Sequence, residues 1–204
     1  ERQLCYNKYM LIAAERFIGT PVMSLQTGSE LARTAREVID PFTLTVVAYE
    51  LEGRLLDQSP TLLRIADIRE IGGLGMIIDS VDELIAPSDV ITIQKIYEYQ
   101  FELVGKSVVD ERKHKVGKVV GYTVEAGDFV IQQLRVHRPL LRSFGDTELL
   151  IHRSQIIKVT DDTIIVKSAT VSHKVEQTVV PITRAYDNPF RKAPQPSPET
   201  IDRN

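Results

Sequence analysis

Nowhere in this 204-residue chain do 18 apolar residues run together, so no segment reads as a membrane-spanning helix. Cysteine occurs once, at Cys5. One cysteine excludes an internal disulfide framework and fits a reducing compartment. The apolar run Leu11–Ala14 is too short for a secretory h-region, and the expected location is cytoplasmic. Histidine is sparse as well: His114, His137, His152 and His173 show no short ligand spacing. Structural metal sites take about four ligands; only strand pairing would bring His137 near His152, and no metal is expected. The Gly-rich run Ile71-Gly72-Gly73-Leu74-Gly75 lacks the following helix and the Lys-Ser/Thr pair of a phosphate loop. No serine sits in a nucleophile-elbow context. The paired acids Asp161-Asp162 and Asp82-Glu83 read as turn and linker residues. No enzyme and no cofactor is therefore expected.

Charge is unevenly spread. Residues 1–102 carry 9 Lys and Arg against 16 Asp and Glu, whereas residues 103–168 carry 11 against 8. Opposite signs on the two parts suit different partners, or a counterpart in a homodimer.

What the chain does contain is short β-rich runs. In the stretch Leu103–Lys167, Ser107–Asp110 and Lys118–Glu125 are β-branched runs joined by the polar turn Glu111–Gly117. Ala126-Gly127-Asp128 is a tight turn, since Gly tolerates positive φ and Asp bonds its own backbone. Phe129–Val136 follows as the hairpin partner. Three short strands come next, Glu148–His152, Ile156–Thr160 and Thr163–Lys167, with Asp161-Asp162 between the last two. Six strands in so short a span, with no long helix among them, predict a closed or nearly closed barrel, which removes exposed edges.

An earlier stretch repeats the plan. Phe17–Val22 matches Leu103–Val108 at an offset of 86. Leu44–Leu51 matches Phe129–Val136 near 85, and Ile65–Ile68 matches Arg153–Ile156 at 88. Gly19 and Gly105 then fall where the chain turns sharply into a strand. Leu31–Val38 has helix-forming composition, but the repeat assigns Arg36–Asp40 to a strand. Between the copies, Val90, Ile93, Ile96, Tyr97 and Phe101 recur at helical spacing after Ser88-Asp89, predicting a helix over about 88–99.

The fold expected is mainly β: two small six-stranded barrels in tandem joined by a short helix. Residues 10–81 form the first barrel, 82–102 the helical linker and 103–168 the second barrel. Residues 1–9 read as a leader, 169–185 as an extension with a weak β pattern, and the proline-containing 186–204 as a disordered tail.

Ile18-Gly19-Thr20-Pro21-Val22 and Val104-Gly105-Lys106-Ser107-Val108, with Ala66-Asp67-Ile68 and Ser154-Gln155-Ile156 further on, resemble the PRC-barrel domain. The resemblance covers about Leu11–Ser80 and Leu103–Ser168. That family includes the cytoplasmic part of the photosynthetic reaction-centre H subunit and the C-terminal domain of the ribosome maturation factor RimM. It also includes small proteins of sporulating bacteria and archaeal cell-division proteins. The resemblance implies a non-catalytic protein-binding adaptor or assembly module. It also opens an alternative, a ribosome- or RNA-associated maturation factor. A weaker third reading, a small-ligand barrel, conflicts with the side-chain filling of barrels this size.

Two candidate surfaces follow. Arg138, Leu140, Leu141, Arg142 and Phe144 combine large apolar residues with arginines, a composition suited to a protein interface. Lys113, Lys115 and Lys118 cluster with His114 as phosphate contacts would. No aromatic stacking platform accompanies them, as single-strand readers require.

Overall fold

A computed structural model describes residues 10–138 and 148–168. Two mixed sheets and one short helix account for these residues. The first sheet takes β2 (Pro21–Ser24), β3 (Glu30–Asp40), β4 (Thr45–Glu52), β5 (Thr61–Arg64), β6 (Glu70–Gly72) and β7 (Gly75–Ile78), in the order β5-β4-β3-β2-β7-β6. The second takes β8 (Ser107–Asp110), β9 (Lys115–Glu125), β10 (Ile131–His137), β11 (Glu148–His152), β12 (Ile156–Val159) and β13 (Thr163–Val166), in the order β11-β10-β9-β8-β13-β12. The strand order is thus the same in both. Each sheet is antiparallel except for one parallel pair, β2 with β7 and β8 with β13. Most strand starts are 85–88 residues apart across the two sheets.

Among the described residues neither strand path closes on itself through hydrogen bonds, so the closed barrels expected from the strand count are not formed as such. β5 and β6, at opposite ends of the first order, are joined by the 3-10 turn Ile65–Asp67, and β11 and β12 by the turn Arg153–Gln155. The expected helix exists as α1 (Ile91–Tyr99), preceded by a separate 3-10 turn at Pro87–Asp89. Asp89 is not in its first turn; the Asp89 carboxylate instead accepts from the Ala86 N–H at 2.7 Å. β9 begins at Lys115, inside the span read as turn. Gly117 is there because a β-carbon would strike the His137 carbonyl on β10, not because a turn needs it.

The run Glu30–Asp40 looks helical because its inward face switches. Ala32 and Thr34 are buried, then register shifts between Thr34 and Arg36 and between Val38 and Ile39 move the alternation. Each bulge adds a residue and rotates the following side chains to the other face. Val38 and Ile39 are consequently both buried, Ile39 in the main core and Val38 beneath α1.

That core is continuous across both sheets. Phe17 and Phe129 rings lie 5.0 Å apart, and Tyr49 lies 6.1 Å from Phe129, edge-on. β1 (Leu11–Ala13) leaves the first part of the chain and pairs antiparallel with β9, Leu11 opposite Glu125. At the β3–β4 and β9–β10 hairpins the backbones exchange bonds. The Val46 N–H donates to the Phe129 carbonyl at 3.1 Å, and the Ile131 N–H to the Leu44 carbonyl at 2.9 Å. Leu44 and Phe129 both adopt left-handed φ, 49° and 53°. The Arg153 guanidinium secures this junction by donating to the carbonyls of Thr43 (2.6 Å), Leu44 (3.1 Å) and Ile131 (3.3 Å).

Candidate interaction surface

On the second sheet, the cross-strand register of β9, β10 and β11 separates its two faces by row. Val119–Val136–Leu149 and Tyr122–Leu134–Ile151 point to the core. The other face carries Lys118–His137–Glu148, then Gly121–Arg135–Leu150, then Thr123–Gln133–His152. Val120, beside the Arg135/Val136 bulge, is exposed.

The same rows on the first sheet are covered. There Arg36 stands opposite Glu50, and Glu50 opposite Leu62. Ile93 of α1 is buried against Val38, Ala48 and Leu62, with Val90, Ile96 and Tyr97 packed around them. Arg36 bonds Glu50 at 2.7 Å, and its guanidinium sits 5.3 Å from the centre of the Tyr97 ring. Lost hydration pulls the Arg36 pKa down, but the Glu50 hydrogen bond and charge outweigh it and leave it raised. The Tyr97 hydroxyl, which donates to Glu50 at 3.3 Å, is raised by lost hydration and then by the Glu50 charge. A small cavity of about 10 Å³ beside this cluster, lined by Arg36, Ile96, Tyr97 and Gln100 among others, has room for about one water and none for a metabolite.

No helix covers the second sheet's outer face among the described residues. Leu150 is 59% exposed where Leu62 is 0% exposed. The edge differs likewise. Leu62 N–H donates to the Ile85 carbonyl at 2.8 Å and Ile85 N–H returns the bond at 3.0 Å, closing the edge of β5. Leu150 holds the corresponding place in its ladder and finds no such bridge among the described residues. Arg135 is engaged by Glu15 from the 3-10 turn Ala14–Phe17. Gly121 makes room for that ion pair, since a β-carbon there would meet both side chains. The Arg135 Nε is buried without an acceptor among the described residues.

The residues singled out in the sequence distribute as follows. Lys118 lies beside His137 on the outer face, with Arg138 immediately past β10. Lys113 lies in the β8–β9 turn and Lys115 at the start of β9. Asp110 organises that turn, accepting from the N–H groups of Arg112 and His114, both at 2.8 Å, and pairing with the His114 ring at 3.1 Å. Partial loss of hydration disfavours its charge, but the bonds from His114 and Arg112 outweigh this and hold its pKa below the ordinary value. Leu140, Leu141, Arg142 and Phe144 lie outside the described residues, as do 1–9 and 169–204. His137 faces Glu148 and His152 faces Gln133; four residues of β11 separate the rows, about 13 Å at 3.3 Å per residue. The two histidines are not brought together. Ile71–Gly75 forms the hairpin joining β6 and β7.

Sequence reasoning missed Leu150. The only local signal was two adjacent leucines at 149 and 150 in a strand with one buried face. No protein-family model matches this chain, and no curated protein matches it.

Proposed function

We propose that this protein is a non-catalytic protein-binding adaptor or assembly module, built by duplication of a PRC-type barrel unit. The observation carrying the reading is the contrast between two sheets of one strand order: α1 covers Leu62 on one outer face, and the matching Leu150 of the other sheet is exposed among the described residues. Exposed apolar side chains rimmed by polar ones mark interaction surfaces. The duplication is supported by reciprocal contacts at matched positions. The Phe129 carbonyl accepts from Val46 N–H and the Leu44 carbonyl from Ile131 N–H, and Tyr122 donates to Glu37, 85 residues away, at 2.9 Å. The PRC-type assignment is supported by Gly19 and Gly105, both at positive φ shortly before β2 and β8. Its setting is the cytoplasm.

Affinity purification of the tagged chain from native lysate, with and without nuclease, tests the reading. A stoichiometric protein partner that survives nuclease is the expected result. Recovery of only ribosomal proteins and RNA, both lost on nuclease treatment, overturns it and favours phosphate contacts through Lys113, Lys115 and Lys118. That RNA reading has less support, because Asp110 and Glu111 flank the turn that holds Lys113, and Lys118 lies apart from it on β9.

A further inference from the structure

The first sheet shows what fills such an edge. Residues 81–90 cross the open side of β5 in extended and 3-10 form, Ile85 bridges Leu62, and α1 then lies over the face. That covering segment, Val-Asp-Glu-Leu-Ile-Ala-Pro-Ser-Asp-Val, contains three acids and no cation. Arg64 of β5 donates to the Asp67 carboxylate at 2.6 Å, and its pKa is raised first by that hydrogen bond, against lost hydration, and then by nearby acidic charge. The edge strand thus presents a cation, held by the 3-10 turn Ile65–Asp67.

The second sheet has matching positions, with no such cover among the described residues. Leu150 takes the place of Leu62 and His152 that of Arg64, two positions further along the strand. Lys118, His137 and Arg138 border the same face, opposed by Glu148. An acidic segment is complementary in charge, and an exposed strand edge accepts an extended chain through backbone bonds while alternate side chains fill the face.

We propose that the edge of β11 is a docking site for an extended acidic segment of a partner protein. An aliphatic residue of that segment bridges Leu150 in antiparallel fashion, and its acids face His152, Lys118 and His137. This rests on the adaptor reading and specifies its site. The partner strand adds two backbone bonds at Leu150, as Ile85 does at Leu62, and covers the exposed leucine. Acid–base complementarity sets orientation and the rate of encounter more than affinity.

The test uses the full chain, isotope-labelled, and a blocked synthetic peptide with the sequence of residues 80–90. In the free protein the Leu150 amide should exchange with solvent much faster than the Leu62 amide, because the latter donates to Ile85 and Leu150 has no such bridge among the described residues. Titration with the peptide should give saturable resonance shifts centred on residues 149–152 and should slow Leu150 exchange. A peptide with its acids replaced by the corresponding amides should bind several-fold more weakly at low salt and equally at high salt. Leu150→Glu should lower affinity at least about tenfold by placing a charge against the incoming strand, while Leu150→Val should retain binding.

The proposal is overturned if the Leu150 amide of the free chain is as protected as that of Leu62, since the edge is then already covered. It is equally overturned if peptide shifts lie elsewhere or persist unchanged in Leu150→Glu. A protein partner recovered from lysate equally well by wild type and Leu150→Glu would remove this site and leave the adaptor reading standing.

Discussion

Replacing Phe129 by alanine probes whether the two sheets stand or fall together. Phe129 belongs to the second sheet by sequence, yet its ring packs against Phe17 and Tyr49 of the first part and is 1% exposed. Truncating a buried phenylalanine costs about 3–5 kcal/mol through lost transfer energy and the residual cavity. Its left-handed φ of 53° imposes similar strain on either residue, so the difference reports packing. A chain of this size loses about 2–4 °C of Tm per kcal/mol, which gives a fall of about 6–20 °C. Because the core is continuous, one unfolding transition should move as a whole. Native-state amide exchange makes the assay specific. The slowest-exchanging amides of β2–β4 and of β8–β10 should lose protection by the same free energy. A variant in which only residues 103–168 lose protection, or in which the melting curve splits in two, would refute the shared core.

The remaining predictions concern single groups. Burial, and then the charge of Glu37, hold the Tyr122 and Tyr49 hydroxyls well above the usual tyrosine range. Their folded forms keep protons that the unfolded chain releases, so stability is full below about pH 10 and falls as pH rises past it. Urea unfolding between pH 9 and 11 should show this decline, with a shallower slope in Tyr122→Phe. At neutral pH, Tyr122→Phe should also cost about 1.5–3 kcal/mol, because a carboxylate hydrogen bond is lost. Arg153→Met should cost about 1–3 kcal/mol by removing the charged donor shared by the Thr43, Leu44 and Ile131 carbonyls; an unchanged urea midpoint would contradict the junction described. Gly75→Ala should be severe, since φ is 118° and a β-carbon would strike the Pro21 carbonyl. Gly28→Ala, at φ 65° with open space around it, should cost about 1 kcal/mol. Comparable urea midpoints for the two alanine variants would refute that contrast.

The amino-acid sequence by itself determined where the strands lie. Ser107–Asp110, Glu148–His152 and the hairpin around Asp161-Asp162 were legible because alternation, β-branching and turn residues are local properties. The offset between Gly19 and Gly105 likewise anticipated matching strands, and placed Arg36–Asp40, the second half of β3, in a strand although Leu31–Val38 is helical in composition. Tertiary structure alone decided how the strands combine. That β1 joins β9, that the two hairpins bridge at Thr45 and Val130, and that each strand path stays open among the described residues have no sequence signature, because backbone donors and acceptors are identical at nearly every residue. The same limit hid the candidate site. Leu62 and Leu150 are both leucines in short strands; residues 81–99 fold back over the first, and among the described residues nothing does so over the second. Exposure is a property of what packs above a residue, and that depends on contacts distant in sequence.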